Sequence, residues 1–201
     1  DSTLFWLNEL IGYTSLIPIV LPYRLAQETH LMHHSHTNDP LKDPDYSVKA
    51  DNLSNALWVN LFVNRHKDLP YLEFLEESSV KERVLIEALI TRVFYWMILV
   101  LFVWTGYGIE LMLIWWLPRL IGSGYIQMTL AWAPHHPMEE QGRYRDTRSF
   151  KAALGTFLTL GMEYHIIHHL HPAIPLNLNP AAYRALKPIL EERNCRLDNN
   201  L

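Results

Sequence analysis

Cysteine is nearly missing from this chain: its 201 residues contain one, Cys195. A lone thiol excludes an internal disulfide, a CxxC redox pair and any thiolate-rich zinc or iron-sulfur site, so metal chemistry here has to rest on nitrogen and oxygen. An excess of positive charge is missing too. Seventeen Lys and Arg face twenty-one Asp and Glu, a net charge of -4, which gives no basic field to hold a polyanion and excludes nucleic acid as the expected partner. Neither GxGxxG nor GxxxxGK[ST] occurs, since GYG and GSG sit in or beside apolar runs; no flavin or nucleotide motif is visible, and electrons for any redox chemistry have to come from another protein. HExxH is absent as well, and with it the general base of a zinc protease. The opening residues, DSTLFWLNELIG, have neither the basic start nor the cleavage site of a signal peptide and read as an internal stretch. The length suits one domain, residues 1–201, with a real core.

Long apolar runs are present, although a mean hydropathy of -0.03 hides them by averaging. From Val84 to Trp104 the chain reads VLIEALITRVFYWMILVLFVW, interrupted only by Glu87, Thr91 and Arg92. At about 1.5 Å per residue this is roughly 31 Å of helix, enough to span a bilayer core. After TGYG comes IELMLIWWLPRLIGSGYIQMTLAWA, Ile109 to Ala133, long enough to return despite Pro118 and Arg119. The expected fold is all-α: an integral-membrane helical bundle with a transmembrane hairpin, spans about 84–105 and 109–132, and histidine-bearing helices on the cytoplasmic side. The competing reading is a pair of buried helices in a soluble all-α domain. Charge placement favours the membrane, because basic residues lie before and after the hairpin and none lies in its connecting loop, which puts both flanks in the cytoplasm. Trp104, Tyr107 and Trp132 suit interfacial positions. Two shorter apolar pieces, Leu10 to Leu21 with Pro18 inside and Leu53 to Val63, read as re-entrant or interfacial.

Histidine is abundant, and ten of the eleven fall in three clusters. HLMHHSH supplies His30, His33, His34 and His36; APHHP supplies His135 and His136; HIIHHLH supplies His165, His168, His169 and His171. His66, in NRHKD, reads as a solvated loop residue with no role. On an α-helix, positions i, i+3 and i+4 fall at about 0°, 300° and 40°, so each HxxHH aims three imidazoles into one arc, as a metal site requires. The histidine at i+6 points elsewhere, which makes His36 and His171 supporting or capping residues. Two crossings separate the copies and return the chain to the same face, so both boxes can meet there. Prolines on either side of His135 and His136 are expected to hold that pair in a non-helical turn at the same surface, where one of them reaches the metals or both merely cap the span.

Six imidazoles plus one more exceed what a single ion takes, so the site is expected to be dinuclear; neutral imidazole suits iron, zinc or copper alike. Asp39, Asp43 and Asp45 in TNDPLKDPDY, and Glu163 in GMEYH, are candidates to orient the rings through their second nitrogens. For the three aspartates, turn formation explains the same residues equally well.

HLMHHSHTNDPLKDPDY, an apolar hairpin and GMEYHIIHHLHPAIP together resemble the integral-membrane fatty-acid desaturase and hydroxylase superfamily. TNDPLKDPDY, PHHP, GRYRDTRS and YHIIHHLHPAIP look most like its bacterial β-carotene hydroxylase-like branch. The resemblance runs from about Leu7 to about Pro188 and implies a four-span bundle with two irons at the cytoplasmic face of the inner membrane. It assigns His30, His33 and His34 to the second histidine box and His165, His168 and His169 to the third, with His135 or His136 as an extra ligand by position. The first box, HxxxH or HxxxxH, is absent; the chain is expected to begin just after it, without the first two spans, so that residues 1–201 alone are inactive.

The resemblance also implies a dioxygen-dependent oxidoreductase acting on C–H bonds of a membrane lipid, with an external electron donor such as a ferredoxin. Hydroxylation of a carotenoid-like lipid leads, and fatty-acyl desaturation follows. A rival from another class is a membrane protein that binds or transports a metal; transport calls for ligands inside the spans, and neither span contains a histidine. Phe94, Tyr95, Trp96, Trp115 and Trp116 either line a substrate channel or, as is commoner, face lipid and neighbouring helices.

Overall fold

The structure is a computed structural model that describes residues 4–63, 80–152 and 155–198; His66 lies outside them. The described residues are mostly helical, with one pair of three-residue strands, in keeping with the all-α expectation. They pack as two compact units, one built from residues 4–31 and 80–124, the other from 32–63, 125–152 and 155–198.

In the first unit, helix α1 (Phe5–Leu16) ends at a turn in which Val20 takes a φ of +58°. A β-branched residue rarely adopts that left-handed conformation, and side chains from elsewhere in the unit hold the turn. The Trp115 indole N–H donates to the Pro18 carbonyl at 2.8 Å, and Arg119 Nε donates to the Ile19 carbonyl at 2.9 Å. Arg119 also lies 5.6 Å from the Tyr95 ring centre. A cation within an apolar segment thus serves a local structural need.

Helix α2 (Tyr23–His36) carries the first histidine pattern. The residue just before it, Pro22, accepts from Ala26 N but has no side-chain acceptor to cap the next free N–H. Glu87 fills that role: its carboxylate accepts from Arg24 N at 2.8 Å and from the Tyr13 hydroxyl at 2.9 Å. A carboxylate at a helix N-terminus satisfies an orphan donor and complements the dipole. Arg24 in turn pairs with Glu9.

Helix α4 (Lys81–Trp104) is, among the described residues, the helix long and apolar enough to cross a membrane by length and composition; α3 (Leu53–Trp58) precedes it in the chain. Phe94 and Trp96 on α4 are exposed, whereas Tyr95 is buried and packs edge-on against Trp115.

Residues 108–135 then run helical without a break, as one element, α5, in which α-helical stretches alternate with two wider π turns at Met112–Trp116 and Gln127–Trp132. Pro118 and Pro134 each lie two residues beyond the end of a π turn. Proline lacks an N–H and its ring collides with the carbonyl one turn back, and a widened turn relieves both problems. Here the structure corrects one expectation. The helix passes through Pro134 and ends at His135, so the pair is not a wholly non-helical turn. Only His136 is extended, with ψ 135°, a geometry that the following Pro137 favours, whereas Leu117 and Ala133, which precede Pro118 and Pro134, stay helical.

The core of the second unit explains the second histidine pattern. Helix α7 (His165–Leu170) follows α6 (Thr156–Thr159). Its Ile166, Ile167 and Leu170 are buried with Tyr164 against Tyr183 and Leu190 of α8 (Asn179–Glu192). HIIHHL is thus one amphipathic turn and a half: the apolar residues anchor it, and His165, His168 and His169 take the other side. Strand β1 (Arg148–Phe150) pairs in parallel with β2 (Arg196–Asp198), Arg148 opposite Arg196. Arg148 donates through Nε and Nη2 to the Ala133 carbonyl at 3.0 and 2.9 Å, and through Nη1 to Asp198 at 2.8 Å. The C-terminal strand thereby braces the helix end that presents His135.

Replacing Glu87 by Ala is expected to destabilise the folded chain by about 1–2 kcal/mol, since the α2 cap and the tyrosine bond are both lost. Glu87→Gln, which keeps an acceptor, should recover part of it. Thermal unfolding in detergent measures both, and equal midpoints for wild type and Glu87→Ala would refute the capping role.

Candidate metal centre

His33 sits on the buried side of α2. Its Nδ1 donates to Asp43 Oδ1 at 2.8 Å, and the same carboxylate accepts from Asn38 N and Asp45 N, each at 2.8 Å. Burial pulls the His33 imidazole toward its neutral form. The Asp43 hydrogen bond and the charges of Asp45, Asp43 and Asp146 outweigh it, and its pKa is raised. With Nδ1 committed to Asp43, Nε2 is the nitrogen left facing the other imidazoles.

His135, at the end of α5, repeats that geometry with a backbone acceptor. Its Nδ1 lies 3.2 Å from the Asp146 carbonyl, and its Nε2 lies 3.3 Å from His33 Nε2 and 3.1 Å from His165 Nε2. His169 joins them from α7: its Nε2 is buried with no hydrogen-bond partner, and its Nδ1 lies 3.5 Å from Thr37 Oγ1. The ligand atoms of His33, His135, His165 and His169 all fall within 4.8 Å of one another. Beside them His34 Nε2 lies 3.1 Å from His168 Nε2, and the His34 ring stacks on that of His169 at 4.2 Å.

These distances suit a shared cation. Imidazole nitrogens bind zinc-like ions at about 2.0–2.1 Å, so two neighbouring ligands on one ion lie roughly 3.0–3.4 Å apart. Electrostatics agree. His135 and His169 have pKa values well below the ordinary imidazole value, first through burial and then through the neighbouring histidines; they are neutral, with lone pairs available. An orphaned buried Nε2 on His169 is costly without a partner, and four converging imidazoles could hold a metal ion as that partner.

The remaining sequence candidates divide. His136 leaves the group: extended before Pro137, it stacks on Trp132 at 4.7 Å and lines a cavity of about 230 Å³ with Lys49, Trp132, His135 and Glu139. His30 is exposed on α2, one turn before His33 and His34. His36 bonds back to the Met32 carbonyl of its own helix at 3.2 Å, and the exposed His171 caps α7 through its backbone N–H to the Ile167 carbonyl at 2.8 Å.

Of the acids, Asp43 holds an imidazole, while Asp45 Oδ2 is 4.0 Å from the same nitrogen. Asp39 accepts from Leu41 N and Lys42 N, which is turn formation. Glu163 is buried and takes the hydroxyls of Thr156 and Thr159. Sequence reasoning missed Thr37, Asn38, Asp146 and Met162. Thr37 and Asn38 lie directly after the first box, and Met162 Sδ lies 3.2 Å from His165 Nδ1, one turn earlier in the chain; proximity to the boxes was the available signal. Asp146 contributes its backbone carbonyl, which no side-chain pattern announces.

The protonation of these imidazoles makes a prediction. Because His169 is held neutral in the fold, the unfolded chain binds more protons there, and this contribution to stability is lost as pH falls through the ordinary value of 6.5. In metal-free protein the stability of wild type relative to His169→Gln is therefore expected to decline between about pH 7 and pH 5.5. Melting temperatures across that range test it, and a difference independent of pH would sink the assignment.

Neither the curated proteins nor the solved structures offer a match to this chain. The family described as fatty acid desaturase matches residues 3–198, nearly its whole length. Histidine boxes at this spacing and a match of this extent place the chain in the fatty acid desaturase family.

Proposed function

We propose that the chain is a desaturase-like domain of a membrane non-haem diiron oxidoreductase that uses dioxygen to act on C–H bonds of a lipid. The observation that carries this reading is the convergence of His33, His135, His165 and His169 from three separated segments onto one buried point, with His169 Nε2 lacking any other partner. One iron would take ligands from that group. The second would take His34 and His168, with His30, one turn ahead of His34 on α2, completing it by helical spacing. Iron, when bound, supplies the dioxygen chemistry. The chain's own residues fix the imidazoles: Asp43 and the Asp146 carbonyl hold the Nδ1 protons of His33 and His135, and Thr37 Oγ1 lies 3.5 Å from Nδ1 of His169. His135, rather than His136, serves as the ligand after the last span.

In this reading α4 crosses the membrane, α5 returns, and the boxes lie on the cytoplasmic side of a bacterial inner membrane. Charge on either side of the hairpin, with none in its loop, supports that orientation. The electron donor is a separate protein such as a ferredoxin, since the sequence holds no flavin or nucleotide motif. The substrate is a carotenoid-like hydrocarbon that becomes hydroxylated, a choice resting on TNDPLKDPDY, PHHP and GRYRDTRS. Fatty-acyl desaturation is the second reading, favoured by the description of the matching family.

The complete gene product is expected to purify with two irons per chain and to consume dioxygen when given a reducing partner. Zinc alone with no oxygen uptake would overturn the oxidoreductase reading. Pigment and lipid profiles of a host expressing it separate the two substrates: new hydroxylated pigment supports the first, new acyl double bonds the second. His168→Ala is expected to abolish product while membrane insertion persists, and full activity in that variant would remove His168 from the ligand set.

A further inference from the structure

Asn38 lies two residues beyond the end of α2, is 3 % exposed, and adopts a φ of +67°. That left-handed conformation suits asparagine better than any other non-glycine residue with a side-chain donor. Just past a helix it is a common way to turn the chain. Its three polar contacts make it more than a turn residue. The Asn38 backbone N–H donates to Asp43 Oδ2 at 2.8 Å, and Asp43 Oδ1 is the acceptor for His33 Nδ1. The side-chain amide donates to the Asp146 carbonyl and to the Glu140 carbonyl, each at 2.9 Å, and the Asp146 carbonyl is the acceptor for His135 Nδ1. One buried residue therefore touches both groups that orient imidazoles from segments about a hundred residues apart in sequence.

Resting on the metal-centre reading above, we propose that Asn38 is a positioning residue that sets the relative geometry of His33 and His135. By holding the Asp43 carboxylate through its backbone N–H and the Asp146 carbonyl through its side-chain amide, it keeps both Nδ1 protons in place and holds the two Nε2 atoms at their 3.3 Å separation. Partners that orient ligating histidines typically affect metal affinity by about 10–100-fold when removed. Asn38 acts one step further out, on two ligands at once. Its chemistry is specific: the left-handed backbone admits Gly, Asn or Asp, but of these only Asn donates from its side chain to two carbonyls.

Two substitutions isolate the amide. Asn38→Gly keeps the backbone conformation and the Asp43 contact while deleting both amide bonds. Asn38→Asp keeps shape and conformation but places a carboxylate against two carbonyl oxygens. The complete protein, stripped with chelator, is titrated with ferrous iron, and the ferrous centre is also read by Mössbauer spectroscopy.

Wild type is expected to take two irons. Both variants should weaken one iron by about tenfold or more and shift the Mössbauer parameters of that iron alone. Wild type taking two irons beside variants with unchanged affinity and spectrum would overturn the role of Asn38 and leave the metal centre standing. A wild type that binds no iron overturns the metal reading, and this proposal with it. Failure of both variants to fold would mark Asn38 as a residue of the fold alone and overturn its positioning role.

Discussion

Everything around the histidine group depends on one requirement, that each buried imidazole hand its Nδ1 proton to a fixed acceptor so that Nε2 points inward as a lone pair. A buried imidazole without such an acceptor can switch tautomer, and its Nε2 then carries hydrogen and repels a cation. The chain meets the requirement with a carboxylate for His33 and a backbone carbonyl for His135. The difference matters electrostatically. Asp43 brings charge and raises the pKa of His33, whereas the uncharged carbonyl of Asp146 leaves burial free to hold His135 neutral. Asp146 itself is buried beside them, and desolvation lifts its carboxyl pKa to about 6.

Rigidity of these acceptors comes from ordinary packing put to a second use. In HIIHHL the apolar residues that seat α7 against α8 alternate with the histidines, so the hydrophobic contact that stabilises the unit also aims three imidazoles. At the helix end that carries His135, Arg148 bridges the Ala133 carbonyl and Asp198, which couples the C-terminal strand to that end. A charged hydrogen bond to a helix-terminal carbonyl satisfies a group that would otherwise be orphaned.

Polar residues inside the apolar segments have local duties of the same kind. Glu87 caps α2, and Arg119 and Trp115 satisfy carbonyls of a strained turn. Backbone polar groups away from water need internal partners, and in a chain read as membrane-embedded these side chains supply them. Taken from sequence alone, such residues count against a span; with their bonds in view each has a structural role of its own.

The histidine boxes, their helical spacing, the mostly helical fold and the family were legible in the sequence, because each follows from periodicity or residue type within a short stretch. HxxHH puts imidazoles on one side of a helix wherever the helix happens to lie, and the long apolar run of α4 needs only its own composition. Residues 133–137 were legible only in part: the prolines were visible, but that a π turn carries the helix through Pro134 while His136 turns extended before Pro137 emerged with the backbone. Choice among equivalent candidates belonged wholly to tertiary structure. Asp39, Asp43 and Asp45 are alike in sequence, and only the chain path after α2 brings Asp43 against His33 while leaving Asp39 in a turn. Asn38 and the Asp146 carbonyl had no pattern to betray them, since a hydrogen bond between residues a hundred positions apart depends on where the fold puts two groups, and spacing along a chain does not encode that.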